Sequence, residues 1–326
     1  MLKIAVINPP NGDGLARTVF DGLIQLKKKG IVNSFKYPNK FSYPIEGLAE
    51  NYTENVSEFI NFANESDFIF LIWGKGCTDF SLANKINLWG KTIFLDGSEI
   101  GKNGRYDFEI QKKIVKGEYT GNGKIDIDML KKCPLYLKRE KPYKDGVLPL
   151  PFGIEDAYVK NFSREIKKDI DFFCVFGQDE YPLMRRYSKE ILIEFCAKNN
   201  FSCFTEKVER DEFYKKLARS KVGISVGGGG YDTLRFWEIL GNNCLLLTEK
   251  IDIYEPDLNR LKYERIWQFN DLFDFEHQLN KIGKYLRGGY SQASLELEYE
   301  KIISEHSSES RVLEIINKAK GVGLVK

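Results

Sequence analysis

The chain has 326 residues, 42% of them hydrophobic, and its 49 Lys and Arg residues nearly balance its 47 Asp and Glu residues, giving a net charge of +2. This length favours two domains with separate cores. The balanced charge argues against a dedicated nucleic-acid-binding protein, and no apolar run approaches the roughly 18 residues of a membrane span.

The first half of the chain alternates short apolar runs with amphipathic stretches. Such a pattern indicates a parallel sheet covered by helices on both faces. Ligands usually bind in the loops at the carboxyl ends of these strands. The three loops here, at residues 8–14, 74–79 and 96–99, each contain glycine and at least one acid. The predicted elements are strands at residues 3–7, 68–73 and 92–95 and helices at about residues 15–29 and 56–64.

Residues 140–155 interrupt this alternation. The stretch is rich in Lys, Pro and Gly, shows no helical period and ends L-P-L-P-F-G-I, which favours a linker. We therefore predict a first Rossmann-like domain at residues 1–150, a second at 151–294 and a C-terminal helix at 295–326. The predicted elements of the second domain are strands at residues 171–176, 202–205 and 222–226 and helices at about residues 183–199, 209–220 and 273–286.

The most informative segment covers residues 213–249. It places four consecutive glycines, residues 227–230, between a predicted strand and a predicted helix. Glycine lets the backbone turn tightly and approach a ligand closely, and a helix start presents free N–H groups to an anion. Asp232 is the predicted N-cap of this helix and Gly241 its predicted end. The segment predicts a phosphate-binding loop, with an ordinary turn as the alternative.

Arg235 and Glu238 lie three positions apart on that helix, so both side chains lie on one face. Beside a phosphate site, a guanidinium can bind a diphosphate and a carboxylate can accept hydrogen bonds from ribose hydroxyls. The alternative is a solvated pair that contributes only about a few tenths of a kcal/mol.

The sequence R-F-W-E-I-L-G-N-N-C-L-L-L-T, preceded by a helix ending A-R-S-K and a glycine-rich loop, resembles the donor-nucleotide segment of GT-B glycosyltransferases. It is most similar to the CgeB-like and exostosin-like groups. Thr233, Arg235, Glu238 and Leu240 fall on the pattern of these groups. The glycine that precedes the second strand in the family is replaced by Asn243 or displaced towards the helix end, so the local turn is left open.

This resemblance implies a GT-B fold, in which two Rossmann-like domains face each other across a cleft and the final helix crosses back to the first domain. It implies that Arg235 lies near the donor diphosphate and Glu238 near the ribose. The implied activity is transfer of a sugar from a nucleotide-sugar donor to a glycan, lipid-linked or protein acceptor. The alternatives are a sugar-nucleotide epimerase of the same fold and a non-catalytic nucleotide- or glycan-binding protein of surface assembly.

Further candidate donor contacts surround the glycine loop. Gly177 ends the first strand of the second domain, where the backbone of this fold usually passes close to phosphates. Arg185 and Arg186 begin the next helix, with solvation as the alternative for both. Tyr231 can stack on a base or sugar, or can serve as a hydrophobic anchor. The predicted donor contacts are Gly177, Gly228, Gly229, Gly230, Tyr231, Thr233, Arg235 and Glu238.

An inverting enzyme of this kind uses a first-domain carboxylate or histidine as a general base. Neither histidine lies in the first domain, so the candidates are acids on the first-domain loops. Asp13 is our first candidate because the loop after the first strand faces the cleft in this architecture, and Asp79 is the second. Asp96 and Glu99 are further candidates. Solvation and helix capping are the alternatives for each.

Many retaining enzymes of this fold carry two glutamates eight positions apart. Gly230 stands eight positions before Glu238, so this pair is incomplete and an inverting mechanism is favoured. We predict no metal ion and no cofactor besides the nucleotide-sugar substrate. The six cysteines form no C-x-x-C pair, which favours a reduced, cytoplasmic protein. Peripheral contact with the inner face of the membrane is left open, because many glycosyltransferases act on lipid-linked acceptors.

Overall fold

The computed structural model describes residues 1–10, 12–74, 80–99, 125–140, 144–178, 183–251, 253 and 258–324. Its first half contains a six-stranded parallel sheet in the order β2-β1-β3-β4-β5-β6. The strands are β1 (Leu2–Ile7), β2 (Val32–Lys36), β3 (Phe68–Trp73), β4 (Thr92–Asp96), β5 (Leu135–Lys138) and β6 (Val147–Pro149). The helices are α1 (Gly14–Lys28), α2 (Val56–Glu65), α3 (Phe80–Ile86) and α4 (Ile127–Lys132).

The continuous apolar runs become the central strands of this sheet. β3 and β4 are buried along nearly their whole length and β1 over its last four residues, as expected for a parallel sheet with both faces covered. The sequence patterns did not reveal β2, β5 and β6, which are short. β6 lies within the stretch that we interpreted as a linker and pairs with β5.

The second half contains a five-stranded parallel sheet in the order β11-β10-β9-β7-β8. The two parallel sheets confirm the predicted pair of α/β domains; the boundaries that we proposed for them stay a prediction. The strands are β7 (Ile170–Phe173), β8 (Cys203–Phe204), β9 (Ser220–Ser225), β10 (Leu245–Glu249) and β11 (Ile266–Phe269). The helices are α5 (Asp156–Val159), α6 (Leu183–Asn199), α7 (Arg210–Ala218), α8 (Leu234–Gly241) and α9 (Leu272–Gly288).

The C-terminal segment forms two helices where the sequence analysis predicted one. They are α10 (Glu296–His306) and α11 (Ser308–Gly321), and the chain turns at Ser307, which forms an isolated parallel bridge with Ile154. This turn directs α11 back to the first domain, where it packs on α1. The approach is close: a Cβ on Gly22 of α1 would lie 2.8 Å from the carbonyl carbon of Ser308. The predicted return of the chain to the first domain is confirmed.

The buried Arg311 fixes the crossing. Its Nε donates to the carbonyl of Phe152 at 3.0 Å, and its Nη1 donates to the carbonyl of Glu305 at 3.1 Å. A second crossing link joins α1 to the segment before α5, where Arg17 pairs with Glu155 at 2.5 Å. Both guanidiniums are almost fully buried, so these contacts hold the two domains in register. No helix in the described part of the chain is long and apolar enough to cross a membrane.

Candidate functional site between the two sheets

A cavity of about 370 Å³ lies where the carboxyl ends of strands from both sheets meet. We call it the loop cavity. Its walls include the loops after β1 and β4 from the first domain, and the glycine loop and the start of α8 from the second. The residues that line it are Gly12, Asp13, Gly14, Glu99, Arg139, Phe152, Phe176, Gly177, Arg185, Gly228, Gly229, Gly230, Asp232, Thr233, Leu234, Arg235 and Glu238.

The glycine loop is tightly turned and tied to its own sheet. The N–H of Gly228 donates to the carbonyl of Gly230 at 2.9 Å, and the N–H of Gly227 donates to Glu249 Oε2 at 2.5 Å. Thr233 is the N-cap of α8, and its hydroxyl accepts from the N–H of Phe236 at 3.4 Å. The N-terminal end of α8 therefore faces the cavity with a hydroxyl beside it.

Our prediction that Asp232 caps this helix is wrong. The Asp232 carboxylate instead accepts from the indole Nε1 of Trp237 at 2.7 Å and from the N–H of Phe152 at 2.8 Å. Both partners hold it away from the helix start, and burial raises the pKa of this carboxyl to about 7. Asp232 thus connects the glycine loop to the segment that joins the two domains.

Arg235 and Glu238 form the predicted pair on one face of α8. The Arg235 Nη1 donates to Glu238 Oε2, and its Nε donates to the carbonyl of Val175 at 2.8 Å. Its guanidinium also lies 4.1 Å from the centre of the Phe213 ring. Glu238 additionally accepts from the hydroxyl of Tyr214 at 2.9 Å. The pair is mostly buried, so it is held in place far more firmly than a solvated surface pair.

The two arginines at the start of α6 differ in position. Arg185 turns towards the loop cavity, and its Nε and Nη2 lie 3.3 and 3.2 Å from the carbonyl oxygen of Val226. Arg186 points to solvent and pairs with Glu190 at 3.0 Å. Arg185 therefore joins the cavity wall, and Arg186 follows the solvated alternative.

Tyr231 lies in the hydrophobic core with 6% of its surface exposed, and it is absent from the described lining of the loop cavity. This position favours the anchor alternative over stacking on a ligand. Asn243 has a φ of 54°, the left-handed region that glycine usually occupies. The turn left open in the sequence is therefore made by Asn243, which tolerates this conformation better than most residues do.

On the first-domain side, Asp13 lines the cavity but also caps α1. Its Oδ1 accepts from the N–H groups of Leu15 and Ala16 at 2.9 and 3.1 Å. Asp79 lies outside the described residues. Asp96 is fully buried, bonded to the hydroxyl of Tyr136 and to Lys138 Nζ, and is absent from the described lining.

Glu99 is a second carboxylate on the described lining, and it pairs with Arg139 at 3.3 Å.

Arg139 and Glu140 were missed by the sequence analysis. They follow β5 at its carboxyl end and are buried, and Arg139 Nη2 donates to Glu140 Oε1 at 3.0 Å. Glu140 Oε1 also accepts from the N–H of Asp232 at 3.0 Å. The glycine loop is therefore docked on a charged pair of the first domain. The detectable signal was the polar K-R-E run directly after the apolar L-Y-L.

Several solved structures have the same architecture. An alpha-glucosyltransferase in complex with UDP-glucose and DNA containing an abasic site superposes with a TM-score of 0.55 over 97% of this chain and 98% of its own, at 10% sequence identity. Anabaena Alr3699/HepE in complex with UDP and glucose superposes with a TM-score of 0.53 over 98% of this chain and 100% of its own, at 8% sequence identity. A glycosyltransferase from Rickettsia africae gives 0.52 over 98% of both chains, at 11% identity. The chain has the GT-B fold.

The superpositions cover both domains and the C-terminal crossing, so the predicted GT-B architecture is confirmed as a whole. No protein-family model matches the chain, and no curated protein sequence matches it. The similarity to CgeB-like and exostosin-like groups therefore stays a prediction. In this GT-B fold the loop cavity lies in the cleft between the two domains.

Proposed function

We propose that this protein is a glycosyltransferase that transfers a sugar from a nucleotide-sugar donor to an acceptor hydroxyl without a metal ion. One observation carries the proposal. A single cavity joins the glycine loop, the start of α8 and two arginines on one wall with two carboxylates, Asp13 and Glu99, on the other. Uridine nucleotides are the first donors to test, because two of the similar structures contain UDP or UDP-glucose.

The second-domain wall supplies what a diphosphate leaving group needs. The backbone N–H groups of the glycine loop and the helix start can bind phosphate oxygens, and Arg185 and Arg235 lie beside them. These fixed positive groups would stabilise the negative charge that develops on the diphosphate as the sugar leaves. Glu238 would accept hydrogen bonds from the ribose. Because the guanidiniums of Arg139, Arg185 and Arg235 line the site, we propose that charge neutralisation does not require a divalent cation.

The base that would activate the acceptor is a carboxylate of the first-domain wall. Asp13 is our first candidate because it lies on the loop after β1, although its Oδ1 already caps α1. Glu99 is the competing candidate within the same cavity. Asp13→Asn separates the two roles of Asp13, since asparagine caps helices about as well as aspartate but cannot take up the proton. Glu99→Gln is the matched variant.

The capping role of Asp13 also favours a second candidate function, a non-catalytic nucleotide- or glycan-binding protein. Under that hypothesis the loop cavity binds nucleotide, but no donor is hydrolysed and no sugar is transferred. The acceptor under the enzyme hypothesis is a glycan, a lipid-linked sugar or a protein, and membrane contact through a lipid-linked acceptor stays a prediction. The expectation that the chain does not bind nucleic acid also stays a prediction and rests on its balanced charge.

The test is hydrolysis of radiolabelled UDP-sugars in the absence of acceptor, followed by transfer to a panel of glycan and lipid-linked acceptors. We expect slow hydrolysis by the wild type. We expect Asp13→Asn or Glu99→Gln to abolish transfer while both variants stay folded. The thermal unfolding midpoint should be unchanged in Asp13→Asn and lower in Glu99→Gln, because the latter weakens the ion pair with the buried Arg139. Nucleotide binding without hydrolysis or transfer of any donor would favour the non-catalytic function. Transfer that survives in both variants would contradict a carboxylate base.

A further inference from the structure

The two oxygens of the Glu238 carboxylate receive hydrogen bonds from two different helices. Arg235 Nη1, one turn earlier on α8, donates to Oε2, and the hydroxyl of Tyr214 on α7 donates to Oε1 at 2.9 Å. The last torsion of a glutamate side chain is otherwise soft, because rotation of the carboxylate has broad minima. Donors on two separate elements therefore fix the plane of this carboxylate.

Tyr214 makes this contact from outside the loop cavity. It is 4% exposed and is absent from the described lining of the loop cavity, whereas Glu238 belongs to that lining, with 11% of its side chain exposed. An ionised carboxylate has about four acceptor sites, two on each oxygen. Tyr214 and Arg235 use one site on each oxygen, so each oxygen can accept a further hydrogen bond from a ligand in the cavity.

The Tyr214 side chain is itself held in place. Burial, together with the neighbouring Glu238 carboxylate, raises the pKa of the Tyr214 hydroxyl above its ordinary value, so the hydroxyl stays a donor at physiological pH. The ring packs against that of Tyr158, with ring centres 6.0 Å apart. The adjacent Phe213 contacts the guanidinium of Arg235. Two consecutive residues of α7 thus hold both members of the Arg235–Glu238 pair.

We propose that Tyr214 is a positioning residue: it holds Glu238 in the orientation that binds both ribose hydroxyls of a nucleoside diphosphate, so the site selects ribonucleotides over their deoxy forms. The inference rests on the proposed donor site and extends it to a residue that does not touch the ligand. A vicinal diol offers two neighbouring O–H donors and a carboxylate two neighbouring acceptors, and these match only in one relative orientation. A site built to bind a hydroxyl rejects analogues that lack it, because its own polar group then loses a partner.

The test compares UDP with 2′,3′-dideoxy-UDP, which lacks both ribose hydroxyls, by isothermal titration calorimetry, with the corresponding GDP and ADP pairs measured beside them. The ratio of the two dissociation constants is determined within each protein. The variants are Tyr214→Phe, Glu238→Ala and the double variant. Tyr158→Phe is the matched control, because it also removes a buried tyrosine hydroxyl, but one that accepts from Arg17.

We expect the wild type to bind UDP at least about tenfold more tightly than the dideoxy form, and Tyr214→Phe to reduce this ratio at least about threefold. The affinity of Tyr214→Phe for 2′,3′-dideoxy-UDP should change by less than about twofold, since the phosphate contacts do not involve the lost hydroxyl, and this result also shows that the variant is folded. Tyr158→Phe should keep the wild-type ratio. In the Glu238→Ala background, Tyr214→Phe should cause no further fall in the ratio.

Three results would overturn the inference and leave the donor site in place. These are equal binding of UDP and its dideoxy form by the wild type, an unchanged ratio in Tyr214→Phe, and an equal fall of the ratio in Tyr158→Phe. A purely structural role of Tyr214 predicts the second result, because it weakens both nucleotides alike. Absence of binding of every nucleotide by the wild type is a different outcome: it contradicts the proposed donor site itself, and the inference fails with it.

Discussion

Gly230→Ala tests whether the glycine loop is docked on the first domain as described. A Cβ at this position would lie well inside 3.0 Å of Glu140 Oε1 and 2.6 Å from Arg139 Nη2. Neither neighbour can move easily, because both are buried and Glu140 Oε1 is bonded to Arg139 and to the N–H of Asp232. The substitution must therefore displace the loop or break this buried network.

Overpacking of a buried site costs about 1–3 kcal/mol, and loss of a hydrogen bond to a charged group costs about 1.5–3 kcal/mol. If the loop relieves the clash by giving up one such bond, we expect the free energy of unfolding to fall by about 2–4 kcal/mol. Gly177→Ala is the matched control in the same cavity. Its Cβ would meet no atom of the described residues within 4 Å, so its effect should stay within about ±0.5 kcal/mol.

Urea unfolding followed by tryptophan fluorescence measures both variants, with Trp237 as a nearby reporter because its indole is bonded to Asp232. Gly230→Ala should also cost less in a Glu140→Ala background, by about 1 kcal/mol or more, since the clashing carboxylate is then absent. A neutral Gly230→Ala, or equal losses for Gly230→Ala and Gly177→Ala, would refute the docking of the loop on this pair.

Three further predictions follow from buried contacts. Burial raises the pKa of Asp232 to about 7, well above its value of about 4 in the unfolded chain. Between these two pH values the folded protein holds a proton that the unfolded chain has released, so the stabilising contribution of this group is complete below about pH 4 and is lost as the pH rises to about 7. From pH 5 to pH 7.5 the urea midpoint should therefore fall by less in Asp232→Asn than in the wild type, and an equal fall in both proteins would contradict this prediction. Arg311→Gln should lower the free energy of unfolding by at least about 1–3 kcal/mol, since it removes donors to the carbonyls of Phe152 and Glu305. If calorimetry gives the same unfolding midpoint for this variant and the wild type, the packing of α11 on the first domain does not depend on Arg311. Asp13→Ala should cost about 1 kcal/mol through loss of the α1 cap, and Asp13→Asn almost nothing; equal costs in urea unfolding would count against the capping role.

The sequence predicted the parts of the site that depend on local signals. A strand, a glycine run and a short amphipathic helix follow one another within one segment. The glycine loop, and the position of Arg235 and Glu238 on one face of the helix, could therefore be inferred from spacing alone. The long apolar strands were equally clear, because continuous burial requires continuous apolar sequence. These signals also placed Gly177 and Asp13 in loops that follow predicted strands, and both line the cavity.

The remaining parts of the site depend on contacts between distant segments. By sequence, Asp232 is a good candidate for a helix cap. In the structure its carboxylate instead accepts a hydrogen bond from the N–H of Phe152, which lies 80 positions away in the interdomain segment. Arg139 and Glu140 resemble a solvated charged run, and only the short strand before them and the packing of Gly230 show that they are buried. Arg185 and Arg186 are equivalent by sequence, and the rotation of α6 alone decides which one faces the cavity.

The central claim is that the loop cavity binds a nucleoside diphosphate. Isothermal titration calorimetry of UDP with the wild type, Arg185→Ala and Arg186→Ala tests it most directly, with GDP, dTDP, ADP and CMP measured beside it. The two arginines are adjacent, but only Arg185 is on the described cavity lining. We predict binding of one nucleotide that is weakened about tenfold or more in Arg185→Ala and unchanged in Arg186→Ala. Absence of binding by all five nucleotides, or equal affinities of the two variants, would contradict the claim.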